Sequence, residues 1–324
     1  MILVTGGAGY IGSHVVKELL AKDYPVLVFD RNKLPDGLRR VKGGSLESVR
    51  GDLADAYTLH DALRRFKPAA TIHLAGDISV GESVQNPAKF YSNNMVNGIN
   101  LLNALLSHDV KYFVFSSSAA VYGIPHTIPI PEEHPTAPIN PYGRTKRMFE
   151  RILGDYDAAY GMRSVLLRYF NAAGADPSAE LGEAHEPETH LVPLVLQVPL
   201  GMSENIEIFG CDYPTPDGTC VRDYIHINDL AAAHILAVEA LLAGSRSDVF
   251  NLGNGSGHSV REVIATAEKV VGRSIKVKEA PRRLGDPASL VASSKRAMEV
   301  LGWKPQYAEL ETIIRTAWQW HSRR

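Results

Sequence analysis

The sequence predicts a doubly wound α/β fold, a Rossmann-type parallel sheet covered by helices on both faces, with a smaller interleaved unit toward the C-terminus. Three observations carry this: short β-branched runs alternate with helical patterns, several runs are apolar on both faces, and a glycine-rich turn follows the first run. In order, ILVTG (2–6) is followed by the helical VVKELLAKD (15–23), PVLVFD (25–30) by TLHDALRRF (58–66), and ATIHLAG (70–76) by KFYSNNMVNGINLLNALLS (89–107), before KYFVFSSS (111–118) opens the fifth strand. That alternation means parallel strands joined by crossover helices. Residues 26–29 and 113–115 are apolar at every position, as in strands buried on both sides.

Past residues 166–171 the rhythm changes, because Pro, Gly and acidic residues crowd 174–190 and alternation resumes only at VRDYIHINDLAAAHILAVEALL (221–242). The expected organisation is a first domain over 1–170, to which the chain returns around 221–253, and a second domain from 171–220 and 254–324. Amphipathic helices are expected at 260–271 and 309–320.

With 324 residues, a net charge of -2 and a pI near 6.6, the chain has no basic field to draw in nucleic acid or a membrane surface, and neither is expected as a partner. No apolar run approaches the roughly 18 residues that cross a bilayer, and the first residues are already strand-like, so a cytoplasmic location is expected. The two cysteines, Cys211 and Cys220, form no CxxC pair and are expected as free thiols; no His cluster has metal-ligand spacing, so no metal is expected.

The first strand runs into TGGAGYIGSH, where Gly6, Gly9 and Gly12 read GxxGxxG and Gly7, Gly9 and Gly12 read GxGxxG. Glycines there let the backbone turn tightly and approach a pyrophosphate, whose charge then sits at the N-terminus of the next helix; without a ligand the same residues make only a tight turn. Eighteen residues beyond Gly12 the second strand ends in Asp30, placed to accept hydrogen bonds from an adenosine ribose and to repel a 2′-phosphate. NAD is therefore expected over NADP, although the adjacent Arg31 leaves a route for the latter.

Ser118 ends the fifth strand, and NPYGRTK follows with Tyr142 and Lys146 at i and i+4, on one helix face. A tyrosine with a pKa near 10 is a poor base at neutral pH, whereas an adjacent ammonium and a cationic nicotinamide both favour its phenolate. Ser118 is expected to hydrogen-bond the reacting hydroxyl. The alternative is a strand-end serine turn and a surface i,i+4 pair.

Glycine loop, Asp30, Ser118, Tyr142 and Lys146 together resemble the extended short-chain dehydrogenase/reductase family. Further strings, HLAGDISVGES, FYSNN, SSSAAVYG, LRYFNAAGA, ETHLVP, IFGCDYPTPDGTCVRDYIH and APRRLGDP, are similar to its members that invert carbon 4 of a UDP-hexose. The resemblance implies cofactor contacts from the loop, including Tyr10 and Ile11, and from Asp52, Leu53, Leu74, Ala75, Gly76, Asn93 or Asn94, Ser116 and Tyr169. Read blandly, Asn93 and Asn94 cap a helix N-terminus and Asp52 caps a strand end. Ile78 stands where members often carry Lys.

For the sugar nucleotide, beside Ser118 and Tyr142, the resemblance implies Asn171, His190, Leu191, Glu207, Phe209, Arg222, Tyr224, Arg283, Asp286 and Leu290. Arg222 and Arg283 suit a diphosphate, Asp286 beside Arg283 suits ribose hydroxyls, and Leu290 lines the space beside the sugar's carbon 2. Some members have Asn where His190 stands. Dehydratases of this superfamily need an acid and a base directly after the serine, and decarboxylases a Glu; Ala119 and Ala120 occupy those positions, and methyl groups transfer no protons. The resemblance thus implies interconversion of UDP-galactose and UDP-glucose through a 4-ketose, with slower action on N-acetylated UDP-hexoses. A non-catalytic NAD sensor is the rival of another class. Helices at 88–107 and 141–160 imply a homodimer through a four-helix bundle.

Overall fold

The computed structural model describes residues 1–283 and 285–324. The apolar runs become β1 (Ile2–Thr5), β2 (Val26–Asp30), β3 (Leu46–Arg50), β4 (Ala70–His73), β5 (Tyr112–Ser116) and β6 (Arg163–Tyr169). Four short strands follow, β7 (Asn171–Ala173), β8 (Ile206–Phe209), β9 (Val221–Arg222) and β10 (Tyr224–His226), before β11 (Asp248–Leu252). β11 lies beside β6 and completes a seven-stranded, all-parallel sheet in the order β3-β2-β1-β4-β5-β6-β11. The order reverses between β1 and β4, and in such a sheet the crevice beyond those strand ends is where ligands bind.

Helices cover both faces because both are apolar. α1 (Tyr10–Ala21) packs against the later helix Ile227–Leu242 on one side. On the other lie α2 (Ala56–Phe66), then short α3 (Val80–Gln85) and α4 (Pro87–Phe90), α5 (Asn97–Ser107) and α6 (Pro141–Tyr160). Here the structure departs from one continuous helix over 88–107: a π-helical turn, Tyr91–Val96, separates α4 from α5. The wide turn carries Asn94, whose Oδ1 accepts from the Asp77 N–H (2.8 Å) and whose Nδ2 donates to the Asp77 carbonyl (3.0 Å). Satisfying the loop after β4 in this way outweighs the regular helical ladder, and neither Asn93 nor Asn94 caps a helix start.

The remaining chain builds a second apolar core. α7 (Leu191–Gln197), α8 (Ile227–Leu242), α9 (Val260–Val271), α10 (Lys295–Val300) and α11 (Leu310–His321) alternate with β12 (His258–Ser259), β13 (Val277–Ala280) and β14 (Ser289–Leu290). α8 and α10, the latter through Ala297, belong with the large sheet, whereas Val195 and Leu196 of α7, Ile264 of α9 and Ile313 and Ile314 of α11 bury one another around Ile208. Three short sheets stitch this unit: β10 with β7, β13 with β8, and β12-β9-β14. At their junction the buried Asp223 carboxylate accepts from the N–H groups of Asn254 (2.7 Å), Gly255 (3.0 Å) and Ala292 (3.0 Å). No helix among the described residues is long and apolar enough to cross a membrane.

Candidate active site

The crevice between β1 and β4 is made by close backbone approaches that only glycine allows. Gly6 adopts φ +75, and a Cβ on it would lie 2.5 Å from the Ala75 nitrogen; a Cβ on Gly12 would lie 2.1 Å from the Gly6 carbonyl oxygen. Gly9, the N-cap of α1, has no side chain to occupy the first N–H groups, and the first turn of the helix contains no acid. The positive helix end is therefore unneutralised from within the chain and faces a cradle of bare backbone, which suits a pyrophosphate.

Asp30, Asp52, Leu53, Leu74, Ala75, Gly76 and Asn93 line the same crevice with Gly6 and Gly9. Asp30 uses Oδ2 to accept from the Ala8 N–H (2.9 Å) and Oδ1 from Asn32 (2.8 Å), so the carboxylate is held at the crevice mouth. Arg31, which also lines it, lies 3.7 Å from the Asp77 carboxylate, and Asn93 donates to that same carboxylate at 3.0 Å. Tyr10 turns its hydroxyl away from the crevice to the Gly174 carbonyl (2.6 Å), and Ile11 packs on the adjacent core; what these two offer a ligand is backbone. Ile78 is exposed.

The reacting groups lie where β5 meets α6. Asn140 caps α6 through the Gly143 N–H (2.8 Å) and Pro141 starts it, which places Tyr142 and Lys146 on its buried face. Ser118 follows β5, and its Oγ accepts from the Ala120 N–H at 3.2 Å. Burial raises the Tyr142 phenol above its ordinary value, with Ser118 hydrogen bonding acting in the opposite direction. The Lys146 ammonium donates to the Ser116 carbonyl (2.7 Å) and stands 5.8 Å from the Tyr142 ring centre. Burial pushes Lys146 down to about 8, opposed by Glu150 one turn on.

Ser116 presents its carbonyl here, because its hydroxyl pairs with His234 Nε2 at 2.8 Å. Tyr169, at the end of β6, stands beside Ser116 and Tyr142 with its phenol raised by burial.

The residues expected around the sugar nucleotide separate into two groups. In the first, Leu290 pairs in register with Arg222, and packs half-buried against the cluster that holds Ala119, Tyr122 and Phe170. Asn171 donates to the Asp223 carbonyl (2.9 Å), His190 precedes α7, and Leu191 is the first residue of that helix. In the second, the exposed guanidinium of Arg283 lies 3.9 Å over the Phe209 ring. Glu207 is tied to Lys278 at 2.9 Å. Asp286, whose N–H donates to the Arg283 carbonyl at 3.3 Å, has its carboxylate ion-paired to Arg222, and among the described residues Arg283 forms no ion pair. The Tyr224 ring belongs to the second core and its phenol is raised by burial.

Several functional neighbours are invisible in the motifs. Glu150 accepts from the Ser117 hydroxyl (2.6 Å) and from Arg168 in two bonds of 2.8 Å, and Arg168 reaches the Tyr122 hydroxyl at 3.0 Å. This buried network fixes the end of β5 against α6, so it positions Ser118 and Lys146. Its one local signal is the i,i+4 step from Lys146 to Glu150. The structure also gathers Glu183, His185, Glu188 and His190, although their spacing follows no metal-binding motif.

A doubly wound sheet with a glycine cradle at its switch point and Ser, Tyr and Lys beyond its fifth strand defines a dinucleotide-dependent enzyme class. Residues 2–253 match the NAD dependent epimerase/dehydratase family, and the chain belongs to it. It is 52% identical over 324 residues, 100% of this chain and 97% of the relative, to the UDP-glucose 4-epimerase of Rhizobium meliloti (strain 1021). The solved UDP-glucose 4-epimerase from Brucella ovis in complex with NAD is 46% identical with a TM-score of 0.93, covering 98% of this chain and 97% of that one. The enzyme from Bifidobacterium longum in complex with NAD+ and UDP is 39% identical with a TM-score of 0.94, covering 99% and 98%.

Proposed function

We propose that the chain is an NAD-dependent epimerase that inverts carbon 4 of a UDP-hexose, interconverting UDP-galactose and UDP-glucose. The observation that carries this reading is the end of β5, where Ser118 and Tyr142 meet and the next two residues, Ala119 and Ala120, have only methyl groups. A site with one proton-transferring hydroxyl and no second acid or base oxidises and reduces an alcohol but does not eliminate water. Bound NAD+ supplies the hydride acceptor, the donor for the return step, and a positive charge that favours the Tyr142 phenolate. Tyr142 takes the proton of the 4-hydroxyl, Ser118 hydrogen-bonds that oxygen, and once the 4-ketose has turned over, so that hydride would return to the opposite face of carbon 4, Tyr142 gives the proton back to the oxygen. Lys146 holds the ribose side of the cofactor while anchored on the Ser116 carbonyl.

Residues 1–170 with 221–253 form the cofactor half in this reading, and 171–220 with 254–324 the sugar-nucleotide half. Arg222 and Arg283 take the diphosphate, Asp286 and Asn171 the neighbouring hydroxyls, and Phe209 a flat ring. Two free thiols, Cys211 and Cys220, fit a reducing cytoplasmic setting. Exposed Val84, Val96, Met148 and Tyr160 on or beside α3 to α6 fit a homodimer through those helices, which sedimentation tests against the 35.4 kDa monomer. Incubation with UDP-galactose is the deciding experiment: UDP-glucose is expected with no net change in NADH. Bound cofactor without product would favour a sensor, and NADH accumulating with product would make the protein a simple reductase.

A further inference from the structure

The segment between β7 and α7 carries a constellation that neither the crevice nor Tyr142 uses. Glu183, with a side chain only 3% exposed, accepts from His185 Nδ1 at 2.9 Å and from His190 Nδ1. The Glu188 carboxylate lies 4.0 Å from His185 and 3.6 Å from His190. One nitrogen or oxygen from each of the four lies within 4.8 Å of the others. Among the described residues no Lys or Arg forms an ion pair with either carboxylate.

Two carboxylates largely withdrawn from water need a compensating charge, and among the described residues the groups paired with them are two imidazoles, with a third, that of His321, also near Glu183. A dication neutralises both carboxylates and leaves the imidazoles neutral, the form in which they ligate. Two nitrogens and two oxygens with no fifth side chain match a closed tetrahedral set, and the imidazoles disfavour Mg2+ or Ca2+, which take oxygen ligands. Bonds of about 2.0–2.2 Å need donor separations near 3.4 Å, so the four donors, already within 4.8 Å of one another, draw together around an ion. The surroundings already orient the donors. The Thr189 and His190 N–H groups donate to Glu188 Oε1 (2.7 and 2.9 Å), the Trp320 indole donates to the Glu183 carbonyl (2.8 Å), and the Tyr10 ring stands edge-on to His185.

We propose that Glu183, His185, Glu188 and His190 form a structural Zn2+ site that pins the segment leading into α7 between α1 and α11. The site commits His190 Nδ1 to the ion and leaves Nε2 as the only ring nitrogen this residue turns toward a sugar nucleotide.

The test uses the untagged full-length chain, stripped with a chelator and dialysed against micromolar Zn2+ in excess Mg2+. One equivalent of zinc is expected by elemental analysis, with a higher melting temperature than the stripped protein. The variant His185→Ala/Glu188→Gln is expected to bind none and to melt like the stripped wild type, whereas Cys211→Ser/Cys220→Ser keeps the full equivalent. X-ray absorption on the wild type reads the site even if the first variant misfolds: nitrogen and oxygen neighbours including two imidazoles support it. No stoichiometric zinc in the wild type, sulfur in the shell, or zinc retained by the folded His185→Ala/Glu188→Gln variant each overturns it.

Discussion

At the scale of single residues, the proposed function gives Tyr142 the chemistry and Leu290 the selection. Tyr142→Phe removes one oxygen from a buried position whose ring packing is unchanged, so cofactor and UDP binding are expected to persist while turnover falls by about 10²–10⁴. Near-normal turnover in that variant would remove Tyr142 from the proton transfer. Leu290 sits beside Arg222 and packs against the cluster that holds Ala119, the residue after Ser118, and in the proposed function its volume faces the sugar. Leu290→Ser is expected to raise the kcat/KM ratio of UDP-N-acetylgalactosamine to UDP-galactose by about tenfold, and Leu290→Tyr to lower it, because an apolar pocket of changed volume discriminates by about 1–3 kcal/mol. A ratio that stays constant across the three proteins, with activity retained, would return Leu290 to a packing role. Both residues were legible in the sequence, Tyr142 through its i,i+4 partner and Leu290 through the RRLGDP string. Their environments were not: the network of Glu150, Arg168 and Ser117 is assembled across α6, β5 and β6, and no local pattern encodes which strands become neighbours.

At the scale of elements, the turn from β1 to α1 separates two jobs that its glycines perform. Gly12 is required by the fold itself, since its Cβ would meet backbone at 2.1 Å and backbone cannot rotate away. Gly9 differs: its φ of -78 suits any residue, and the nearest atom to an added Cβ is the Gly6 oxygen at 3.4 Å. Gly9→Ala is therefore expected to change stability by less than about 0.5 kcal/mol. If the pyrophosphate crosses there, the same variant loses NAD affinity by tenfold or more, because the methyl occupies the ligand's path. Calorimetric titration of NAD beside a urea melt checks both halves, and unchanged affinity would move the pyrophosphate elsewhere. The strand and helix periods of the first half were readable because a parallel sheet buried on both faces leaves unbroken apolar runs. The π-helical turn was not readable, because it answers to a contact between Asn94 and the loop of β4 seventeen residues earlier.

At the scale of the whole molecule, four buried histidines distributed over both units are held neutral. Burial lowers His14 and His234 to about 4 and His73 and His226 to about 3. Three have partners distant in sequence, His73 with Thr5 (2.7 Å), His234 with Ser116 (2.8 Å) and His226 with Thr316 of α11 (3.1 Å), while His14 bonds within α1 to the Tyr10 carbonyl (2.8 Å). A base whose folded pKa is depressed takes up its proton first in the unfolded chain, near pH 6.5. Between that pH and about 4 the unfolded state holds more protons, so stability rises with pH across this window; it is complete above 6.5 and lost as the pH falls toward 3–4. Each histidine contributes a slope on the order of 1 kcal/mol per pH unit at pH 5, reduced by the buried carboxyls Asp223 and Asp229, whose pKa values burial raises. Urea midpoints for the zinc-free protein are therefore expected to be level between pH 7 and 8 and to fall steadily from pH 6.5 to 4.5, with protons taken up on unfolding. Because His226 bonds across to α11 while His73 lies in the sheet and His234, on α8, bonds to Ser116 of β5, both units lose stability over the same interval and unfold in one transition. A midpoint that stays level down to pH 5, or a second core that melts separately, would show that these histidines do not couple the two parts.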